Sequence, residues 1–156
     1  MLHEMLLALV DEAFNRPAWH GQTLLGSLRG VTARQASWRP RRGSHNIWEV
    51  AVHAAYWKHL VRQRLIGDRS EPFPLQGSNW FTRPADGHAW EDDLRLLRDE
   101  HRRLRAVVAA FAPRARGRPA RGKPSQTAAF MIRGIAAHDL YHAGQIQLLK
   151  RLRALG

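Results

Sequence analysis

The chain has 156 residues and a formal net charge of +12, which is long enough for one domain with a real core. Cysteine is absent, so a disulfide scaffold, thiolate metal ligands and a cysteine nucleophile are all excluded. No apolar run is long enough to span a bilayer.

Helical periodicity dominates from the first residues. Leu2, Met5, Leu6, Leu9, Val10 and Ala13 predict a first helix over about Leu2 to Phe14, stopped by Asn15-Arg16-Pro17. Glu4, Asp11 and Glu12 interrupt its apolar face, so it does not read as a secretory leader, and the expected compartment is the cytoplasm. A shorter helix is predicted from about Gly21 to Arg29, closed by Gly30. After the loop Trp38 to Gly43, Ser44 is placed to cap a long helix from about His45 to Ile66. Its inward stripe is Asn46, Val50, His53, Trp57 and Leu60, and Gly67 ends it.

The connection from Gly67 to Gly87 is long for a helical bundle, and long loops in compact domains are often functional. Trp80 and Phe81 within it are candidate lid residues. A third long helix follows from about His88 to Phe111, with Trp90, Leu94, Leu97, His101, Leu104 and Val108 facing inward. Residues 113–124 are rich in Arg, Pro and Gly and read as a solvated loop. A phosphate-binding arm is the alternative, but no aromatic residue interleaves the charges to stack on bases. Ser125 is placed to cap a last helix reaching about Leu152, with Met131, Ile135, His138, His142, Gln145, Leu149 and Leu152 inward. Four long amphipathic helices and a short extra one after the first predict an all-α, four-helix bundle in a single domain over 1–156.

The chemistry concentrates in histidine. His138 and His142 are one turn apart, about 5–6 Å at Cβ, which suits two ligands on one ion. His53 sits on the stripe of another helix, and bundles build metal sites from inward side chains on facing helices. Neutral imidazole suits zinc, nickel, iron or copper. The plainer reading is three core histidines bonded to backbone or to one another. Glu49, one turn before His53, is a candidate base or orienting group, against a plain first-turn residue. Gln145 is a candidate for holding a water or bridging helices. His101 reads as a satisfied core histidine, with a fourth ligand as the alternative. His3, His45, His59 and His88 read as surface or helix-end residues, and His20 as a helix-entry residue within reach of the bundle mouth. Asp139, next to His138, points away from it.

Ser44 to Trp57 and Ile135 to Ile146 resemble the second helix and the C-terminal metal motif of DinB/YfiT-like proteins. Pro17-Ala18-Trp19-His20-Gly21 and Trp38-Arg39-Pro40 are similar to that family as well. The most specific part is the H-x-x-x-H-x-G-Q-I segment from His138 to Ile146. The resemblance implies a four-helix bundle, often a homodimer, with a divalent metal on His53, His138 and His142, zinc or nickel being the first candidates. It also implies an enzyme acting on a small-molecule substrate, since characterised relatives include S-transferases using bacillithiol or mycothiol and a thiol-dependent isomerase. The expected function is therefore transfer of a low-molecular-weight thiol to an electrophile. A metal-dependent hydrolase is one alternative, weakened by the lack of an H-E-x-x-H motif. A basic nucleic-acid or stress-response binding module with a structural metal is the other.

Overall fold

The computed structural model describes residues 2–84, 86–110 and 127–155. They form six helices: α1 (Leu2–Phe14), α2 (Leu24–Leu28), α3 (Ala33–Ser37), α4 (Ile47–Ile66), α5 (Gly87–Ala110) and α6 (Ala128–Leu155). Apart from one isolated bridge between Ser78 and Trp80, there is no strand pairing among the described residues. None of these helices is long and apolar enough to cross a membrane.

The four long helices close a ring: α4 packs on α5 and α6, and α1 packs on α5 and α6. This is the predicted all-helical bundle. Two short helices stand where one was expected. Thr23 caps α2, and Thr32 caps α3 through a reciprocal capping box with Gln35. Each cap satisfies amide groups that a five-residue helix would otherwise leave open. Gly30 joins the two helices at φ +72°, a conformation that favours glycine.

The start of α4 differs from the expected one. Asn46, not Ser44, is the N-cap, its side chain accepting from the Glu49 amide. The Ser44 carbonyl instead accepts from Arg39 Nη1 at 2.5 Å. Gly67 ends the helix in the left-handed conformation, as expected. The expected cap of α6, Ser125, and the basic 113–124 loop lie outside the described residues.

The core has two parts. Around Trp48 and Trp90, whose rings meet edge to face at 5.2 Å, gather Leu24, Ile47, Leu97 and Ile146. Beyond them, Val10, Val61, Leu104, Val108 and Ile132 fill the other part. Neither tryptophan leaves its indole N–H unpaired: Trp48 donates to Asp93 at 2.7 Å and Trp90 to the Val31 carbonyl at 2.8 Å. In α1 the expected apolar face is split. Leu6, Val10, Ala13 and Phe14 are buried, whereas Leu2, Met5 and Leu9 are exposed. Asp11 takes an inward position because Arg105 of α5 grips its carboxylate at 2.6 and 2.9 Å.

Candidate metal centre

Three helical positions bring three imidazoles together. His53 leaves the middle of α4, and His138 and His142 leave the middle of α6 one turn apart. The Nε2 atom of His138 lies 3.1 Å from that of His53 and 3.0 Å from that of His142. All three ligand atoms fall within 4.8 Å of one another. His53 and His142 are buried and His138 is half-buried. The expected convergence is therefore present, and the cluster could hold a divalent metal.

Two of the rings are aimed from behind. His53 Nδ1–H donates to the Asn79 carbonyl at 2.7 Å. His142 Nδ1–H donates to Gln145 Oε1 at 2.7 Å. Such outer contacts fix the tautomer, so the Nε2 lone pairs of both rings face His138. One proton on His138 Nε2 cannot serve both close contacts. Protonating further rings would supply hydrogens, but burial opposes the added charge. Burial, then the neighbouring imidazoles His142 and His53, bring His138 down to about 3. Burial brings His142 down to about 4 against the support of Gln145. His53 is lowered too, by burial first, against the pull of the Asn79 carbonyl. A cation held by the three nitrogens would resolve the conflict. Tetrahedral bonds of about 2.0–2.1 Å would set the nitrogens about 3.3 Å apart, close to the two observed contacts.

The loop between α4 and α5 builds the outer wall. Asn79 adopts φ +65°, which turns its carbonyl onto His53 while its side-chain oxygen accepts from Trp57 Nε1 at 2.9 Å. Gly77, at φ +124°, lets the chain pass the Phe81 ring, which stands 3.3 Å from where a Cβ would be. Trp80 then lies flat on His53 at 4.0 Å, and His45 also stacks on Trp80, at 3.6 Å. Trp80 is thus a wall of the site. Phe81, the other lid candidate, packs instead into the core against Tyr56 and Phe73.

The cluster opens into a cleft of about 610 Å³. Tyr141 stands at its lip, and its hydroxyl oxygen accepts from Gln145 Nε2 at 2.9 Å. Gln145 therefore links His142 to Tyr141 and leaves the tyrosine proton free to donate into the cleft.

Glu49 does not join the cluster. Arg39 grips both its oxygens and His45 Nδ1 reaches it at 3.0 Å. Burial pushes this carboxyl up, but Arg39 and His45 outweigh it and hold it below its ordinary value. It is a structural anion rather than a free base. His101 is buried, as expected, and stacks on Phe14 at 3.6 Å, but neither ring nitrogen has a hydrogen-bond partner. Burial, then Lys58 and Arg105, lower it to about 2. His59, expected at the surface, is buried within 3.4 Å of Glu100. His20 and His88 are exposed, and neither lines the cleft.

Sequence reasoning missed three contributors. Asn79 was hidden in a loop, although Gly-Ser-Asn is turn chemistry that tolerates a left-handed residue. Tyr141 sits inside the metal motif and was passed over for its neighbours. His45 was read only as a helix-end residue. Asp139 does point away from His138, but into the core, where Lys58 pairs with it.

The chain belongs to the DinB superfamily, whose model matches residues 16–146. That span includes all three histidines and every residue assigned to their support. No curated protein and no solved structure gives a significant match to the chain.

Proposed function

We propose that this protein is a metal-dependent enzyme that transfers a low-molecular-weight thiol to an electrophile, with His53, His138 and His142 as ligands of a zinc or nickel ion. The observation that carries this reading is the convergence of three neutral imidazoles, two of them held from behind, at the wall of an open cleft. A divalent metal with three protein ligands and an open position lowers the pKa of a coordinating thiol, making it a nucleophile at neutral pH.

The protein's own groups do the rest. Asn79 and Gln145 keep the ligand nitrogens on target. Trp80 covers one side of His53 and keeps water from that face. Tyr141 is placed to donate a hydrogen bond to an oxygen that gains charge as the electrophile is attacked. Cysteine is absent from the chain, which is consistent with a nucleophilic sulfur brought by a cosubstrate. A hydrolase ranks second, because Glu49, the nearest candidate base, is committed to Arg39 and His45. The binding-module reading ranks third, since no aromatic residue interleaves the charges of the basic 113–124 stretch to stack on bases.

The test uses untagged protein loaded with zinc or nickel, incubated with bacillithiol, mycothiol or glutathione and monochlorobimane. Conjugate formation should require the metal and fall to background in His53→Ala, His138→Ala and His142→Ala. Equal rates in wild type and variants with every thiol would refute the transferase.

A further inference from the structure

The cleft is two-ended. At the histidines its lining is polar, with Ser44, His45, Tyr141 and Gln145. Past the histidines along α6, its lining residues are hydrocarbon. Leu148, Leu149 and Leu152 run down α6, with Val50 of α4 and Pro40 also lining the cleft. From His142 to Leu152 is ten residues of helix, or about 15 Å. Leu148 is 56 % exposed and Leu152 40 % exposed, so these leucines are not needed to complete the bundle core. They do not form a flat patch. They line the same concavity as the metal-ligand histidines, and its volume falls within the usual range for a small-molecule site.

We infer that the substrate is amphiphilic: a polar reactive head at the histidines and an unbranched or flat apolar tail laid along α6 over Leu148, Leu149 and Leu152. This rests on the metal-centred reading above and adds the class of molecule that reaches it. The tail supplies binding energy remote from the reacting atoms, which can be spent on holding the head in place. A fully hydrophilic electrophile would leave the leucine end of the cleft wet and gain nothing from it.

The test is calorimetric binding of a homologous series of hydroxamic acids, aceto-, hexano-, octano- and dodecano-, to the zinc-loaded protein. The head chelates metal and the tail probes the trough. Each methylene buried should tighten binding about fourfold at most, with a plateau once the tail passes Leu152. Leu148→Asp and Leu152→Asp change exposed positions, so the fold should survive, which circular dichroism would check. In these variants acetohydroxamate should bind as in wild type, and the gain with tail length should shrink severalfold. Metal-dependent binding of every homologue with no gain along the series would overturn the amphiphile and leave the metal centre standing. Binding that grows with tail length but ignores both metal and His138→Ala would keep the trough and sink the metal reading. Self-association that disappears in Leu148→Asp, with a flat series, would assign the leucines to a second copy of the chain and overturn the inference.

Discussion

Lys58 and Asp139 lie on the same α4–α6 seam as His53, His138 and His142, yet the two clusters behave differently. Lys58 is 0 % exposed and Asp139 1 %, and the ammonium bonds directly to the carboxylate. Burial drives the lysine down and the aspartate up, while each partner opposes the shift in the other. Whether the proton sits on nitrogen or oxygen, the pair sums to zero charge and needs no added ion, although Asp139 Oδ1 has no hydrogen-bond partner. The histidines have no such internal solution. Their nitrogens face one another, and burial keeps them from taking protons. A self-neutralising pair is what a scaffold uses. An arrangement that an added cation would complete is what a site can use.

Breaking the pair should have the largest effect. Lys58→Met or Asp139→Leu alone strands a buried charge and should cost about 3–5 kcal/mol in urea unfolding. The double variant should recover most of that loss. If the single and double variants lose the same amount, the two clusters do not differ in the way described.

Adding a cation is the matching experiment on the histidines. Zinc at a hundred times its dissociation constant should raise unfolding stability by about 2.7 kcal/mol in wild type. The same zinc should leave His138→Ala unmoved. Because His138 and His142 stay neutral down to about 3 and about 4, zinc protection should survive at pH 6, where an ordinary histidine is largely protonated. Loss of protection at that pH would contradict the burial argument.

His101 gives the acid limb of the comparison, since it is buried with no hydrogen-bond partner on either ring nitrogen. Its pKa in the fold is about 2, against about 6.5 when unfolded. The unfolded chain therefore binds the extra proton first as pH drops. Stability from this group is complete above about 6.5 and drains away as pH falls toward the folded value. Between pH 7 and 4.5 the loss should be about 2.5 kcal/mol, and His101→Leu should flatten that part of the profile. An identical slope in the variant would show that the ring is not neutral in the fold.

The smallest effect is expected at Asn79. Asn79→Gly keeps the left-handed backbone and the carbonyl on His53 but drops the bond to Trp57. Zinc affinity measured by competition with a chelator should fall about tenfold. Asn79→Ala, which cannot adopt that φ cheaply, should fall further.

Much of this was legible in the sequence. The four-three spacing placed four long helices, and the H-x-x-x-H pair with His53 on a facing stripe identified the cluster. What was lost followed from helices buried on more than one face. On α6, Ile132, Asp139 and Ala143 are buried as well as Ile135 and His142, so a position turned away from the histidine cluster is not a position turned to solvent. That is why the buried pairing of Asp139 went unread, why His59 was placed at the surface, and why Lys58 on α4 escaped notice. Glu49 was misread for another reason. Its spacing from His53 suits a helper, but Arg39, ten residues earlier, had already claimed it, and helical spacing carries no sign of a partner in the preceding loop. Asn79 depends on one backbone angle, which periodicity does not encode.

Trp80 stacked on His53 has a practical consequence. An indole in van der Waals contact with a candidate ligand ring would be an intrinsic fluorophore beside a bound ion. Copper(II) or nickel(II) seated there should quench its emission, whereas zinc, with a filled d shell, should not. The chain holds six tryptophans, so the difference between wild type and Trp80→Phe isolates this one. Occupancy, exchange and metal preference then become readable in solution without a label, from a reporter the fold has already installed.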